Sequence, residues 1–186
     1  MDSFKKLLYA LPDEELVFNV MGFDEPDILR EQILDNPNKK FDFPVSKDTS
    51  MLHAACFCRR PRLVEVLLHH PELNPNIECF DGSTALMEAC IIGEMEVIKM
   101  LANDNRVSLS KVDKDGRTAL WWVAKRGNIE AVKSLLASGK ELNLGQISVS
   151  GTNCQQVALL NDHTEVVQLL QTFHENPEDT KSKLCS

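Results

Sequence analysis

From residue 49 onward, apolar residues come in two alternating kinds of run. One is short and dense: "MLHAAC" after Ser50, "ALMEAC" after Thr84, "ALWWVA" after Thr118. The other is striped, with apolar residues at Val97, Ile98 and Leu101 and equivalent positions in the neighbouring segments. That i, i+1, i+4 spacing predicts a half-buried helix. The dense run predicts a first helix that starts at Thr84 and stops at Gly93, a residue suited to a left-handed helix end. Thr84 and Thr118 stand where a hydroxyl can accept from the free amides of a helix start. A polar loop with "CFDG" or "DKDG" closes each unit, a tight turn in which glycine takes the geometry other residues resist.

The pattern keeps one register. Ser50, Thr84 and Thr118 are 34 residues apart, as are Leu52, Leu86 and Leu120, and again Leu67, Leu101 and Leu135. Gly82 and Gly116 keep the step, and so do Gly93 and Gly127. A helix hairpin of this size cannot bury its apolar stripe alone, whereas stacked hairpins form one core.

These residues resemble the ankyrin-repeat family, whose unit reads D-x-x-G-x-T-P-L-H-x-A-A-x-x-G-H-x-E-I-V-x-x-L-L. "DKDGRTALWWVAKRGNIEAVKSLL" (113–136) and "CFDGSTALMEACIIGEMEVIKML" (79–101) match it closely. The unit before them keeps "MLHAAC" and "VEVLL" but places Asp48 and Arg59 in the glycine slots. The resemblance implies an all-α solenoid of stacked helix-turn-helix units, three good repeats between degenerate capping repeats. The expected divisions are an N-terminal helical segment and worn cap (1–44), repeats at 45–78, 79–112 and 113–147, a C-terminal cap (148–173) and a disordered tail (174–186). Gln155 and Gln156 suit a cap whose outer face meets water. Arg59 in a left-handed slot costs on the order of 1 kcal/mol relative to glycine and predicts a distorted or mobile inner turn. The polar, aperiodic tail predicts disorder.

Composition narrows the function. Hydrophobic residues at 43% with 26% charged are ordinary for a soluble globular protein. A net charge of −8 argues against a surface built for nucleic-acid phosphates. No apolar run reaches the roughly 18 residues of a membrane span. The start lacks a secretory pattern and "KLCS" is not a prenylation box, so reduced thiols are expected for the six cysteines. The expected location is the cytoplasm, with the nucleus open.

Candidate chemistry is sparse. His53, Cys56 and Cys58 make the one metal-like cluster in the sequence, and no second ligand pair stands at zinc spacing. His53 occupies the family's histidine slot, whose ordinary work is to tie neighbouring repeats by hydrogen bonds. His69 and His70 follow a helix end, where a cation meets the dipole favourably. "CRRPR" (58–62) is a basic turn, and "DKDG" and "CFDG" are not phosphate loops. "LPDEELVFNVMGF" (11–23) faintly resembles the opening of an F-box.

The resemblance implies a non-enzymatic module that binds a partner protein or peptide through a concave groove, with no cofactor, metal, nucleic acid or membrane, as a monomer. Two other classes stay open: a substrate-recognition adaptor of a ubiquitin ligase, or a regulatory fragment of a larger enzyme or channel. The family's contact positions fall here on the turn residues Ser46, Lys47 and Thr49, then Phe80, Asp81 and Ser83, then Lys114, Asp115 and Arg117. Before the inter-helix glycines they fall on Phe57 and Cys58, Ile91 and Ile92, and Lys125 and Arg126. Such a strip suits a peptide with hydrophobic and acidic residues. Adjacent helical side chains diverge by about 100°, so Trp121 and Trp122 are expected in different environments. The resemblance implies that Trp121, in the family's histidine slot, is core and that Trp122, in the slot nearer the concave side where Glu88 stands one unit earlier, is a partner anchor.

Overall fold

Turns of one design set the architecture. The computed structural model describes residues 2–12, 26–41 and 48–184. Along the chain run α1 (Asp2–Ala10), α2 (Pro26–Asp35), β1 (Lys40–Phe41), β2 (Thr49–Ser50), α3 (Met51–Phe57), α4 (Pro61–Leu68), α5 (Ala85–Ile92), α6 (Met95–Asn103), α7 (Ala119–Lys125), α8 (Ile129–Ala137), α9 (Cys154–Leu160), α10 (Thr164–Glu175) and α11 (Pro177–Leu184). The two strands form a minimal antiparallel pair, Lys40 opposite Ser50 and Phe41 opposite Thr49; the other regular elements among the described residues are helices. The expected ankyrin-type all-α repeat architecture is what the helices build.

Four left-handed residues join the paired helices: Arg59 (φ 54°), Gly93 (φ 81°), Gly127 (φ 67°) and Asp162 (φ 61°). In each turn the next amide donates to the carbonyl five residues back, Arg60 to Ala55 at 2.9 Å, Glu94 to Ala89 at 3.2 Å, Asn128 to Val123 at 3.1 Å and His163 to Ala158 at 3.0 Å. These bonds satisfy the open carbonyls of the first helix and start the second. The turn at Arg59, expected to be distorted, keeps the same bonds as the glycine turns. Pro61 at the first position of α4 needs no donor there and presets its own φ for the helix.

The chain divides into two compact units, Met1–Ala85 and Leu86–Ser186. In the first, α3 packs on α4, and α1 packs on both α4 and α2. Leu8, Ile33, Leu52, Leu63 and Leu67 are fully buried there. Arg30 on α2 is also buried: it donates to the Leu11 carbonyl at 2.7 Å, pairs with Asp27 at 2.9 Å and lies 5.6 Å from the centre of the Tyr9 ring. Of the F-box-like stretch, residues 13–23 lie outside the described residues.

In the second unit α6 packs on α8, α7 on α8 and α9, and α9 on α10. The striped helices bury their stripes: Val97, Ile98, Leu101 and Ala102 on α6, then Ala131, Val132, Leu135 and Leu136 on α8. Each large aliphatic chain buried this way contributes about 1.5–3 kcal/mol. Lys140 stitches successive outer loops by donating to the carbonyls of Asp104 at 2.6 Å and Val107 at 3.3 Å.

The tail departs from expectation. Residues 177–184 form α11, which lies against α10 and α8. Its sequence has a helix start that reading for apolar period missed: Pro177 opens it, Glu178 and Asp179 occupy the first turn, and Lys181 and Lys183 the last. Lys181–Glu178 and Lys183–Asp179 add ion pairs at helical spacing. One buried side chain, Thr180, docks the helix, with its hydroxyl 2.8 Å from the Asn176 carbonyl.

Candidate interaction surface

The loops between hairpins repeat their backbone as closely as the inner turns do. The amides of Cys79, Asp113 and Ser148 each donate to the carbonyl four residues on (Ser83, Arg117, Thr152) at 3.0 Å. Gly82, Gly116 and Gly151, all with positive φ, donate back to the first residue of their turn. What differs is the side chain at the head of the turn. In the second unit Asp113, whose side chain is wholly buried, holds four donors. Its Oδ1 accepts from the amides of Asp115 at 3.0 Å and Arg117 at 2.9 Å, and its Oδ2 from Arg117 Nε at 2.8 Å and Trp122 Nε1 at 3.3 Å. In the first unit Cys79 heads the turn and Asp81 does the accepting, from the Ser83 amide and the Cys79 thiol.

Asp113 therefore fixes Arg117 over Trp122, with the guanidinium carbon 4.4 Å from the ring centre. Asp115 holds the other side of Arg117 at 2.7 Å. Trp121 is buried, and its Nε1 donates to Thr152 Oγ1 at 3.2 Å. Trp122 is half-buried. The two do not have separate surroundings, as their divergence along the helix suggested. Their ring centres lie 5.1 Å apart at 85°, edge to face, because the large indoles turn back toward each other from the same helix. Lys125 Nζ lies 5.3 Å from one ring centre and 5.4 Å from the other.

Lys125 and Arg126 end α7 and are exposed, and neither has a carboxylate in ion-pair reach among the described residues. This contrasts with Arg117, whose charge is shared by two carboxylates. Arg126 lies along the inner turn before it: a Cβ added at Gly93 would stand 3.8 Å from its Nε. On the other side His163 lies against Gly127, where a methyl group would collide with the imidazole, and its Nε2 is 3.0 Å from the Lys125 carbonyl. The ends of α5, α7 and α9 thus form a row within the second unit.

The remaining contact positions divide clearly. Ile91 and Ile92 are half-buried at the end of α5, and Lys114 and Asp115 are exposed. In the first unit Phe57, Phe80 and Asp81 are exposed, Phe80 to 63%. Ser83 is corrected: at 1% exposure it is core, and its carbonyl accepts from the His53 ring. Thr49 is likewise buried, while Ser46 and Lys47 lie outside the described residues. The sequence reading overlooked Leu160, 72% exposed, which stands two residues before Asp162 as Lys125 stands two before Gly127. Carrying the register one unit further, through the loss of the first-helix signature, finds it.

His53 is 1% exposed, with Ser50 Oγ at 2.7 Å from Nδ1 and the Ser83 carbonyl at 3.0 Å from Nε2, and burial holds its pKa below the ordinary value. Its neighbour Cys56 is fully buried; burial raises the half-buried Cys58 thiol, with Arg60 pulling the other way. Among the described residues no three His, Cys, Asp or Glu are placed to hold a metal ion, and no helix is long and apolar enough to cross a membrane.

A family model described as ankyrin repeats (3 copies) matches residues 19–113, 51–146 and 105–181. The chain is 33% identical over 111 residues to the ankyrin repeat and SAM domain-containing protein 6 of Rattus norvegicus, covering 59% of the chain and 12% of that protein. It is 32% identical over 101 residues to the ankyrin repeat and KH domain-containing protein mask of Drosophila melanogaster, 54% of the chain and 2% of that protein. A third match, 26% identical over 150 residues, is to the tyrosine-protein kinase HTK16 of Hydra vulgaris, 74% of the chain and 20% of that protein. The matched stretches are a small part of each of these relatives.

Proposed function

The chain belongs to the ankyrin-repeat family, and from that premise we propose that it is a non-enzymatic protein-binding module whose second unit receives an acidic stretch of its partner at the end of α7. The observation that carries this reading is the pair Lys125 and Arg126, exposed and without a carboxylate partner among the described residues, with Lys125 beside the half-buried Trp122. Cations left unmatched on a chain of net charge −8 favour recognition of an opposite charge. The Trp122 N–H and ring already engage Asp113 and Arg117, so the half-buried indole acts as a fixed wall beside Lys125.

Affinity capture with the intact chain and with a Lys125→Glu/Arg126→Glu variant tests the reading. Partners recovered by the first and lost by the second, more weakly held as salt rises, are the expected result. Partners recovered equally by both place binding elsewhere. A second reading, a regulatory array joined to a larger enzyme, draws on the match to a protein named a tyrosine kinase. It is tested by whether the captured set contains an enzyme whose rate changes on adding the chain.

A further inference from the structure

The left-handed residues that join the helices index the second unit's surface. Two positions before Gly93, Gly127 and Asp162 stand Ile91, Lys125 and Leu160. The contacts of Arg126 at Gly93 and of His163 at Gly127 and Lys125 put these three helix ends side by side in chain order. Ile91 is half-buried, Lys125 exposed, and Leu160 exposed to 72%. The sequence at this one position therefore runs apolar, cationic, apolar across three successive units.

We infer that this row reads a partner segment carrying one acidic residue between two apolar anchors, the acid on Lys125 and the anchors on Ile91 and Leu160. The inference rests on the reading above that the second unit binds protein, and it adds the order and spacing of the ligand. Packed helices stand about 8–10 Å apart, so the row spans about 16–20 Å. An extended chain advances about 3.3 Å per residue, which sets the anchors about five or six residues apart with the acid near the midpoint. Because the row is symmetric in character, either chain direction satisfies it. Arg126 adds a second cation beside the acid, and the carboxylates of Asp113 and Asp115 are already engaged by Arg117, so they do not compete for Lys125.

Selection of displayed random 12-residue peptides on the full chain tests this, with Lys125→Glu and Leu160→Ser variants confirmed folded by circular dichroism. The expected result is enrichment of peptides with an acid about three residues from an apolar residue on each side. Lys125→Glu weakens them by roughly tenfold, and replacing their acid with lysine restores binding to that variant. Leu160→Ser removes the demand for one anchor and leaves the other. Peptides that depend on Lys125 but show no such spacing, or ignore Leu160→Ser, overturn the inference and leave the charge-based reading intact. Failure to enrich peptides, or binding untouched by Lys125→Glu/Arg126→Glu, overturns both.

Discussion

His53 in the first unit and Trp121 in the second hold the same position, three residues after Ser50 and Thr118, and each points a ring nitrogen at the following turn. His53 Nε2 meets the Ser83 carbonyl at 3.0 Å, and Trp121 Nε1 meets Thr152 Oγ1 at 3.2 Å. The hydroxyl at the helix start then does different work. A buried imidazole has two nitrogens to satisfy, and Ser50 gives its hydroxyl to Nδ1, leaving α3 without a side-chain cap. Indole has one N–H and no acceptor, so Thr118 is free to accept from the Trp121 amide and cap α7. One architectural tie is thus made with a small titratable ring at the expense of a cap, or with a large neutral ring that keeps it. The first arrangement is exposed to acid and the second to loss of volume.

Substitutions that press on this contrast rank by expected size. Trp121→Ala empties the larger slot and is expected to cost about 3–5 kcal/mol, read from chemical denaturation. In a linear array that loss takes neighbouring hairpins with it. A cost near 1 kcal/mol shows instead that the slot collapses around the gap. Trp122→Ala removes the Asp113 bond and the edge-to-face contact, so it is expected to cost about 1–2 kcal/mol rather than nothing. Trp122→Phe, which keeps a ring but no N–H, separates the two contributions, with an intermediate loss expected.

The acid weakness belongs to the first unit. Burial lowers the folded pKa of His53, so below about pH 6.5 the unfolded chain takes up a proton that the folded slot refuses. Stability from this group is complete above that pH and falls as pH drops, by up to about 1.4 kcal/mol per unit. Unfolding curves at intervals from pH 7.5 to about pH 5 for the native chain and His53→Gln check it. The variant is expected to show the flatter profile; parallel profiles assign the acid sensitivity elsewhere. Smallest is Arg59→Gly, expected to add about 1 kcal/mol by relieving the left-handed strain at φ 54°. A loss on that change means Arg59 makes contacts worth more than its strain.

Much of this was readable from residue types. The 34-residue register located the hairpins, since glycine, hydroxyl and apolar positions carry local geometry, and the family resemblance implied the burial of Trp121 and the tie at His53. The reading failed where the answer depended on long side chains or on packing. Asp113 gathers four donors that lie two to nine residues along the chain, a convergence that spacing does not show. Arg59 holds a turn that propensity marks as weak because backbone bonds on both sides enforce it. The helix at Pro177–Leu184 has almost no apolar stripe, and it is held by charge pairs and one threonine. Leu160 was missed because the register was followed only while the first-helix signature lasted.

The closeness of the two indoles has an optical consequence. Both tryptophans of the chain sit on α7, so all tryptophan emission comes from a single hairpin. Edge-to-face rings 5.1 Å apart couple their transitions strongly enough to add a paired band to the near- and far-ultraviolet dichroism that vanishes when either ring is replaced. A melt followed by emission dates the opening of the third hairpin and its contact with the next turn through Thr152, while amide dichroism sums every helix. The offset between the two curves is a label-free measure of how many repeats open as one.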